Sequence, residues 1–296
     1  MKTYFAARED SAVGSRKSDM GWFVPLDGTD PRGFDIAAVG GKGKSIAQLH
    51  RLGIRSPHAV ALIPAAASSD EWRRELPQAL GWLLQRPPNP VAVTLLAVRS
   101  SGLVSMPGML ETVLNVGLNP AAARQLLTEG WRPETVGVML SHLCESLNVT
   151  HATQLGDIRD QVCRAVERVH SSLHSPHATA YARELGGVES GQVAVILQHM
   201  VFGNRSSKAG TGVVFSRNPQ TGIRELYGEW LDGSQGPLLV SGETSPRTLT
   251  SLRLARPDLF SALLYICQLL EQELHDMQDI EFTFDEDGMY ILQTRP

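Results

Sequence analysis

At 296 residues and 32.2 kDa, with 42% hydrophobic and 20% charged residues, the chain can bury a sizeable core in two or three subdomains. Its formal net charge of −4 gives no electrostatic reason to expect a nucleic-acid or anionic-membrane partner. Three widely separated cysteines, Cys144, Cys163 and Cys267, read as reduced thiols, and the nine histidines lack metal-site spacing. No apolar run approaches the ~20 residues needed to cross a bilayer. The N-terminus has no apolar signal core, so a cytoplasmic protein is expected.

Residues 1–35 are polar and punctuated by Gly and Pro, with one strand predicted near Gly21 to Val24. In Gly40-Gly41-Lys42-Gly43 a Gly-rich turn opens a helix whose apolar residues Ile46, Leu49 and Leu52 recur at helical spacing and which Gly53 stops. Such a turn can offer backbone N–H groups and a cation to an anion. It lacks the Walker spacing, and alone it is equally an ordinary helix start. A strand follows over Ile54 to Ile63, and a capped helix is expected over 68–86. Val91 to Val98 reads as a buried strand that delivers Arg99 into a loop of small residues. An arginine there can grip phosphate or simply be exposed.

Residues 120–185 are helix-rich, with Pro133 opening one helix and Ile158, Val162, Ala165, Val166 and Val169 marking the face of another. Ser175-Pro176-His177-Ala178 reads as structural. Gln192 to Val201 is a nearly continuous apolar strand, Gly203 to Gly212 a small, polar hairpin, and Val213 to Ser216 and Glu225 to Leu231 two further strands. Phe260, Leu263, Leu264, Cys267, Leu270 and Leu274 predict a core helix beneath the chain's end. The last eighteen residues, Asp279 to Pro296, alternate polar and apolar around an acidic, Gly-ended turn, which predicts a β-hairpin. With a three-residue loop, Asp285 pairs with Met289, Glu281 with Gln293 and Asp279 with Arg295. Ile280, Phe282 and Phe284, and on the return strand Tyr290 and Leu292, then form the opposite, apolar face. Two carboxylates, an amide and a guanidinium on one face suit Mg²⁺ and phosphate, or a surface salt bridge.

Val98-Arg99-Ser100-Ser101, Ser105-Met106-Pro107-Gly108-Met109 and Thr112-Val113-Leu114-Asn115 together resemble the nucleotide-binding domain of the pyruvate phosphate dikinase family. Phosphoenolpyruvate synthase and rifampicin phosphotransferase share that domain. Gly40 to Gly43, Val201 to Asn204, Gly210 to Pro219, Leu226 to Glu229, Met277 to Phe282 and Leu292 to Arg295 continue the resemblance in the family's order. It implies an α+β chain with an ATP-grasp fold, in two or three subdomains with the nucleotide in the cleft between them. The expected divisions are an N-terminal grasp subdomain (1–118), a helical subdomain (119–185) and a C-terminal grasp subdomain (186–296).

The resemblance also implies ATP and Mg²⁺ as cofactors. Lys42 and Arg99 would hold the triphosphate, and Gly108 and Thr112 would lie in the loop closing over it. Gln198 and backbone groups of His199, Met200 and Val201 would read the adenine. Asp279 and Glu281 would bind metal with Gln293 beside them, and Arg295 would offset charge on the transferred group. Lys42, Arg99, Glu281 and Arg295 are the expected catalytic residues. The family's Gly-Thr-Ser-His-Ala carrier motif is absent from the sequence, which ends where the family's linker to that domain begins. Three readings stay open: an ATP-dependent phosphotransferase acting on a small-molecule or peptide-like acceptor, a nucleotide half-reaction that phosphorylates a histidine on a separate carrier protein, and a nucleotide-binding regulatory module without turnover.

Overall fold

The computed structural model describes residues 20–88, 93–103, 110–184, 193–234 and 245–296. Helices and two five-stranded antiparallel sheets make it an α+β chain, as expected. Contacts divide the described residues into two compact units, one within 20–48 and 58–200 and the other within 49–57 and 201–296.

In the first unit the sheet runs β1 (Phe23–Pro25), β2 (Ala59–Leu62), β5 (Val193–His199), β3 (Leu96–Gly102) and β4 (Thr112–Val116) in spatial order. Every residue of β5 is buried, as a strand hydrogen-bonded on both sides and covered by helices should be. This strand, expected in the C-terminal subdomain (186–296), lies between β2 and β3. Helix α5 (Ile158–Ser172) packs on β3, β4 and β5 through Val162, Ala165, Val166 and Val169, the face its periodicity predicts. Asp157 caps it, accepting from the Asp160 N–H at 2.9 Å. Helices α3 (Pro120–Thr128), α4 (Pro133–Ser146) and α6 (Pro176–Glu184) complete the helix-rich segment.

Two local expectations are corrected in this unit. Helix α2 (Trp72–Leu84) has no side-chain cap: Ser69 instead accepts the Glu71 N–H in a local turn just before the helix. Strand β3 extends through Gly102, because β5 pairs with it as far as Gly102–Val193. Arg99 is therefore a mid-strand residue and not the first residue of a loop.

Helix α1 (Ile36–Arg51) is broken at Gly40, whose φ of 67° and ψ of 177° interrupt it. A Cβ at Gly40 would come within 2.2 Å of the Ser101 carbonyl oxygen, so only glycine fits. Gly53, at φ 69°, ends the helix as expected.

The second unit's sheet runs β10 (Gly288–Arg295), β9 (Asp279–Asp285), β6 (Gly210–Phe215), β7 (Tyr227–Asp232) and β8 (Arg247–Thr248). Helices α7 (Leu249–Ala255) and α8 (Pro257–Leu274) cover one face. Leu263, Ile266, Cys267 and Leu270 of α8 join Ile280, Phe282, Phe284, Met289 and Ile291 in one buried cluster. Fully burying each such aromatic or aliphatic side chain stabilises the fold by about 1.5–3 kcal/mol. Leu264, placed on the core face by spacing alone, is 39% exposed, because Ala262 and Ile266 take the inward positions.

The hairpin expected over Gly203 to Gly212 does not form. Gly210 and Gly212 belong to β6, which pairs with β7 and β9. Cβ atoms there would lie 2.5 and 2.4 Å from the rings of Phe284 and Phe282, so these glycines make room for aromatic side chains of β9.

Candidate functional site

The closing hairpin is the best-defined group of candidate residues. Its loop is two residues, Glu286 and Asp287, because the Asp285 carboxylate accepts the N–H groups of Asp287 (2.9 Å) and Gly288 (3.1 Å) and tightens the turn. Asp285 thus pairs with Gly288 rather than Met289. That one-residue change of register would reverse the faces of β10 along its whole length. A bulge between Ile291 and Gln293 reverses it once more. Beyond the bulge Gln293 faces Glu281 and Arg295 faces Asp279, the expected pairs. Before it, Met289 and Ile291 face the core, where spacing had placed Tyr290 and Leu292.

Arg295 Nε donates to Asp279 Oδ2 at 2.6 Å, and the Asp279 carboxylate is largely buried. Its other oxygen, Oδ1, is buried with no hydrogen-bond partner. A buried, unsatisfied carboxylate oxygen costs free energy unless something binds it. With Glu281 and the buried Gln293 amide in register beside it, the donors are all hard oxygens, which fits Mg²⁺. Among the described residues no cluster of three or more His, Cys, Asp or Glu exists that could hold an ion alone. A metal here needs water or phosphate oxygens to complete its shell.

On the same side of the sheet, nearer the turn and opposite Thr283, Tyr290 bonds to Arg55, whose guanidinium also lies 4.1 Å from the ring centre and donates to the Asp287 carbonyl at 2.8 Å. Burial pushes the Tyr290 phenol up, against the opposing pull of Arg55.

In the other unit, Lys42 Nζ donates to the Ser100 carbonyl at 2.9 Å. Ser101 Oγ donates to the Val39 carbonyl (2.7 Å) and accepts the Gly43 N–H (3.2 Å), clamping the glycine turn to β3 across the break at Gly40. The Gly43 donor, counted from sequence among those open to an anion, is therefore spent on Ser101. Arg99 Nη1 donates to Gln198 Oε1 at 3.3 Å and Arg99 pairs in register with the exposed Thr112, so three expected binding residues are neighbours. Gly108, with Ser105 to Met109, lies outside the described residues.

The expected adenine-reading edge is narrower than sequence suggests. The His199 N–H donates to the His58 carbonyl at 3.0 Å and the Met200 N–H to the Leu95 carbonyl at 2.9 Å, so neither donor is left for a base. The buried His199 ring has Nε2 2.8 Å from the Leu83 carbonyl. Burial lowers its pKa, an effect only partly offset by that bond, so the imidazole stays neutral. Met200 Sδ accepts the N–H of Asn115, which is buried at φ 62°.

Several further polar residues of this unit carry no individual signal in the sequence. Arg217 holds Glu271 with two bonds, Nε at 2.9 Å and Nη2 at 3.1 Å. Ser216 Oγ donates to the same carboxylate at 2.7 Å. Burial acts to raise the Glu271 pKa, but Arg217 and Ser216 outweigh it and hold the carboxylate below its ordinary range. The one available sequence signal was that Ser216 and Arg217 belong to the same ordered motif set as the hairpin.

The profile of the family described as "Pyruvate phosphate dikinase, AMP/ATP-binding domain" matches residues 61–259. The chain is 29% identical to pyruvate, phosphate dikinase of Clostridium symbiosum over 319 residues, which is 87% of this chain and 36% of that protein. It is 31% identical to the Rhizobium meliloti enzyme of the same name over 338 residues, 88% of this chain and 37% of that one. For the chloroplastic pyruvate, phosphate dikinase 1 of Arabidopsis thaliana the figures are 30% identity, 87% and 33%. The chain belongs to the pyruvate phosphate dikinase AMP/ATP-binding domain family, and it spans about a third of the length of these relatives.

Proposed function

We propose that the chain is an ATP- and Mg²⁺-dependent phosphotransferase of the pyruvate phosphate dikinase type. In this reading it has the ATP-grasp nucleotide-binding fold, acts in the cytoplasm and passes a phosphoryl group from ATP to a small-molecule or peptide-like acceptor. One observation carries the reading: in a member of an AMP/ATP-binding family, Asp279, Glu281, Gln293 and Arg295 share one face in register, with a buried carboxylate oxygen unpartnered.

In-line phosphoryl transfer is catalysed mainly by positioning and charge neutralisation. Lys42 and Arg99 hold the triphosphate, with Thr112 beside Arg99 at the start of β4. Gln198 lines the base. The His199 and Met200 N–H groups are already used, so the purine edge falls to backbone carbonyls and to Val201. Asp279, Glu281 and Gln293 would hold Mg²⁺, which would supply charge neutralisation to the phosphates. Arg295 offsets charge on the group in transit.

The test is incubation with ATP, Mg²⁺ and candidate acceptors, with the product nucleotides resolved. AMP indicates dikinase-type chemistry and ADP a simple kinase. Nucleotide binding with no consumption under any acceptor condition leaves only a regulatory module. A second reading starts from the dikinase names of these relatives. In it the same site performs a nucleotide half-reaction, and the acceptor is a histidine on a separate carrier protein. Phosphohistidine formed on such a partner distinguishes it, being acid-labile and alkali-stable.

A further inference from the structure

The two site pairs sit at the weakest place in their ladder. They lie beyond a bulge, at the far end of an edge strand, and Arg295 is the last residue of that strand. The backbone ladder by itself does little to hold such an end in one register.

Two buried side chains adjoin the four site residues in sequence. Gln278 immediately precedes Asp279, and Thr294 separates Gln293 from Arg295. Thr294 Oγ1 donates to Gln278 Oε1 at 2.7 Å. Gln278 Nε2 donates to the carbonyls of Met277 (2.9 Å) and Asp276 (3.2 Å), so both ends of the amide are used. The Gln278 backbone is held as firmly: its N–H donates to Ser216 Oγ at 2.8 Å and its carbonyl accepts the Ser216 N–H at 2.8 Å. Ser216 Oγ in turn donates to Glu271, the carboxylate clamped by Arg217. A continuous chain of hydrogen bonds therefore runs from the Arg217–Glu271 ion pair to the backbone on either side of the candidate metal face. Thr294, opposite Ile280, lies on the side away from that face.

We propose that Gln278 and Thr294 form a clasp that positions the metal-binding residues, fixing the register of Asp279, Glu281, Gln293 and Arg295 beyond the bulge. Both are positioning residues: they act through their neighbours and donate nothing to the metal. The inference rests on the metal reading of the hairpin given above. Outer partners of this kind are typically worth about 10–100-fold in metal affinity.

The test uses Thr294→Val, which keeps the shape and removes the donor, and Thr294→Ser, which restores it. Mn²⁺ serves as the spin-active stand-in for Mg²⁺. Its uptake by the full chain, with ATP present, is read from the free-ion electron paramagnetic resonance signal. Amide hydrogen exchange of residues 293–295 is read without metal. Thr294→Val is expected to weaken Mn²⁺ binding about tenfold and to speed exchange at the strand end about tenfold, with the melting temperature little changed. Thr294→Ser should restore both to within about twofold, a recovery that general loss of stability would not produce. Wild-type exchange rates and Mn²⁺ affinity in Thr294→Val overturn the clasp while leaving the metal reading intact. A wild-type chain that takes up no Mn²⁺ overturns the metal reading, and the positioning role falls with it.

Discussion

The hairpin and the Lys42–Arg99 region assemble charged side chains by different means. In the hairpin, Asp279 and Arg295 are sixteen residues apart and meet because two adjacent strands run back on each other. In the other unit, Lys42 meets Ser100 across 58 residues, and Arg99 meets Gln198 across 99. The first arrangement is local and its geometry follows from strand period and turn. The second exists only because the sheet order places β5 beside β3 and a broken helix against β3's end. A local site tolerates change elsewhere and depends on register, whereas a long-range site depends on close approach of segments distant in sequence.

Gly40→Ala should separate the two most sharply. Backbone strain and a clash with the Ser101 carbonyl should each contribute about 1–3 kcal/mol of destabilisation, read from urea unfolding. ATP affinity should fall with it, while the hairpin's Mn²⁺ uptake survives wherever the chain remains folded. An alanine variant of wild-type stability would show that the turn is not pinned to β3 at all.

Glu281→Gln addresses the hairpin's chemistry with the opposite signature. Nucleotide turnover should drop on the order of 10²-fold or more, with unfolding essentially unchanged. Full activity in that variant removes Glu281 from the metal site.

Arg99→Ala should weaken ATP binding by about tenfold, equivalent to about 1.4 kcal/mol, the scale of one charge-assisted bond. Titration calorimetry with ATP reads it directly, and unchanged affinity would reduce Arg99 to a structural partner of Gln198.

The smallest effect is in pH. His199 and His170 both have pKa values lowered from 6.5 by burial. Below pH 6.5 the unfolded chain takes up protons that the native state refuses. The stability these groups contribute is therefore complete above that pH and is lost as pH falls toward the lowered native values. Each can add at most about 1.4 kcal/mol per pH unit to the slope. Urea midpoints between pH 7.5 and 5.5 should decline less steeply in His199→Gln than in the wild type, and parallel slopes would contradict the assignment.

Much of the candidate site is legible in residue patterns, and the hairpin shows why that legibility has limits. Alternation around Asp285 to Gly288 foretold the strands and the pairs Glu281–Gln293 and Asp279–Arg295. The route to those pairs was different, since an Asp285-capped turn shifted the register and a bulge restored it. A turn's length depends on one side-chain bond of about the strength of its competitors, so spacing alone cannot choose it. Likewise α5's inward face was readable because helical period is intrinsic to the backbone. Leu264 was misplaced because only the packed partner decides where an apolar stripe ends.

By itself the sequence determined most of the helices and strands, the family and the chemical types gathered at the chain's end, because these follow from backbone periodicity and from motifs contiguous in the chain. Tertiary structure alone decided that Ser101 consumes the Gly43 donor, that the His199 and Met200 N–H groups are already spent, that Gly210 and Gly212 shelter two phenyl rings, and that Gln278 joins Thr294. Apart from Gln278 and Thr294, sixteen residues apart in one hairpin, each of these is a contact between segments far apart in the chain. Its existence depends on which surfaces bury one another, and no local propensity encodes that.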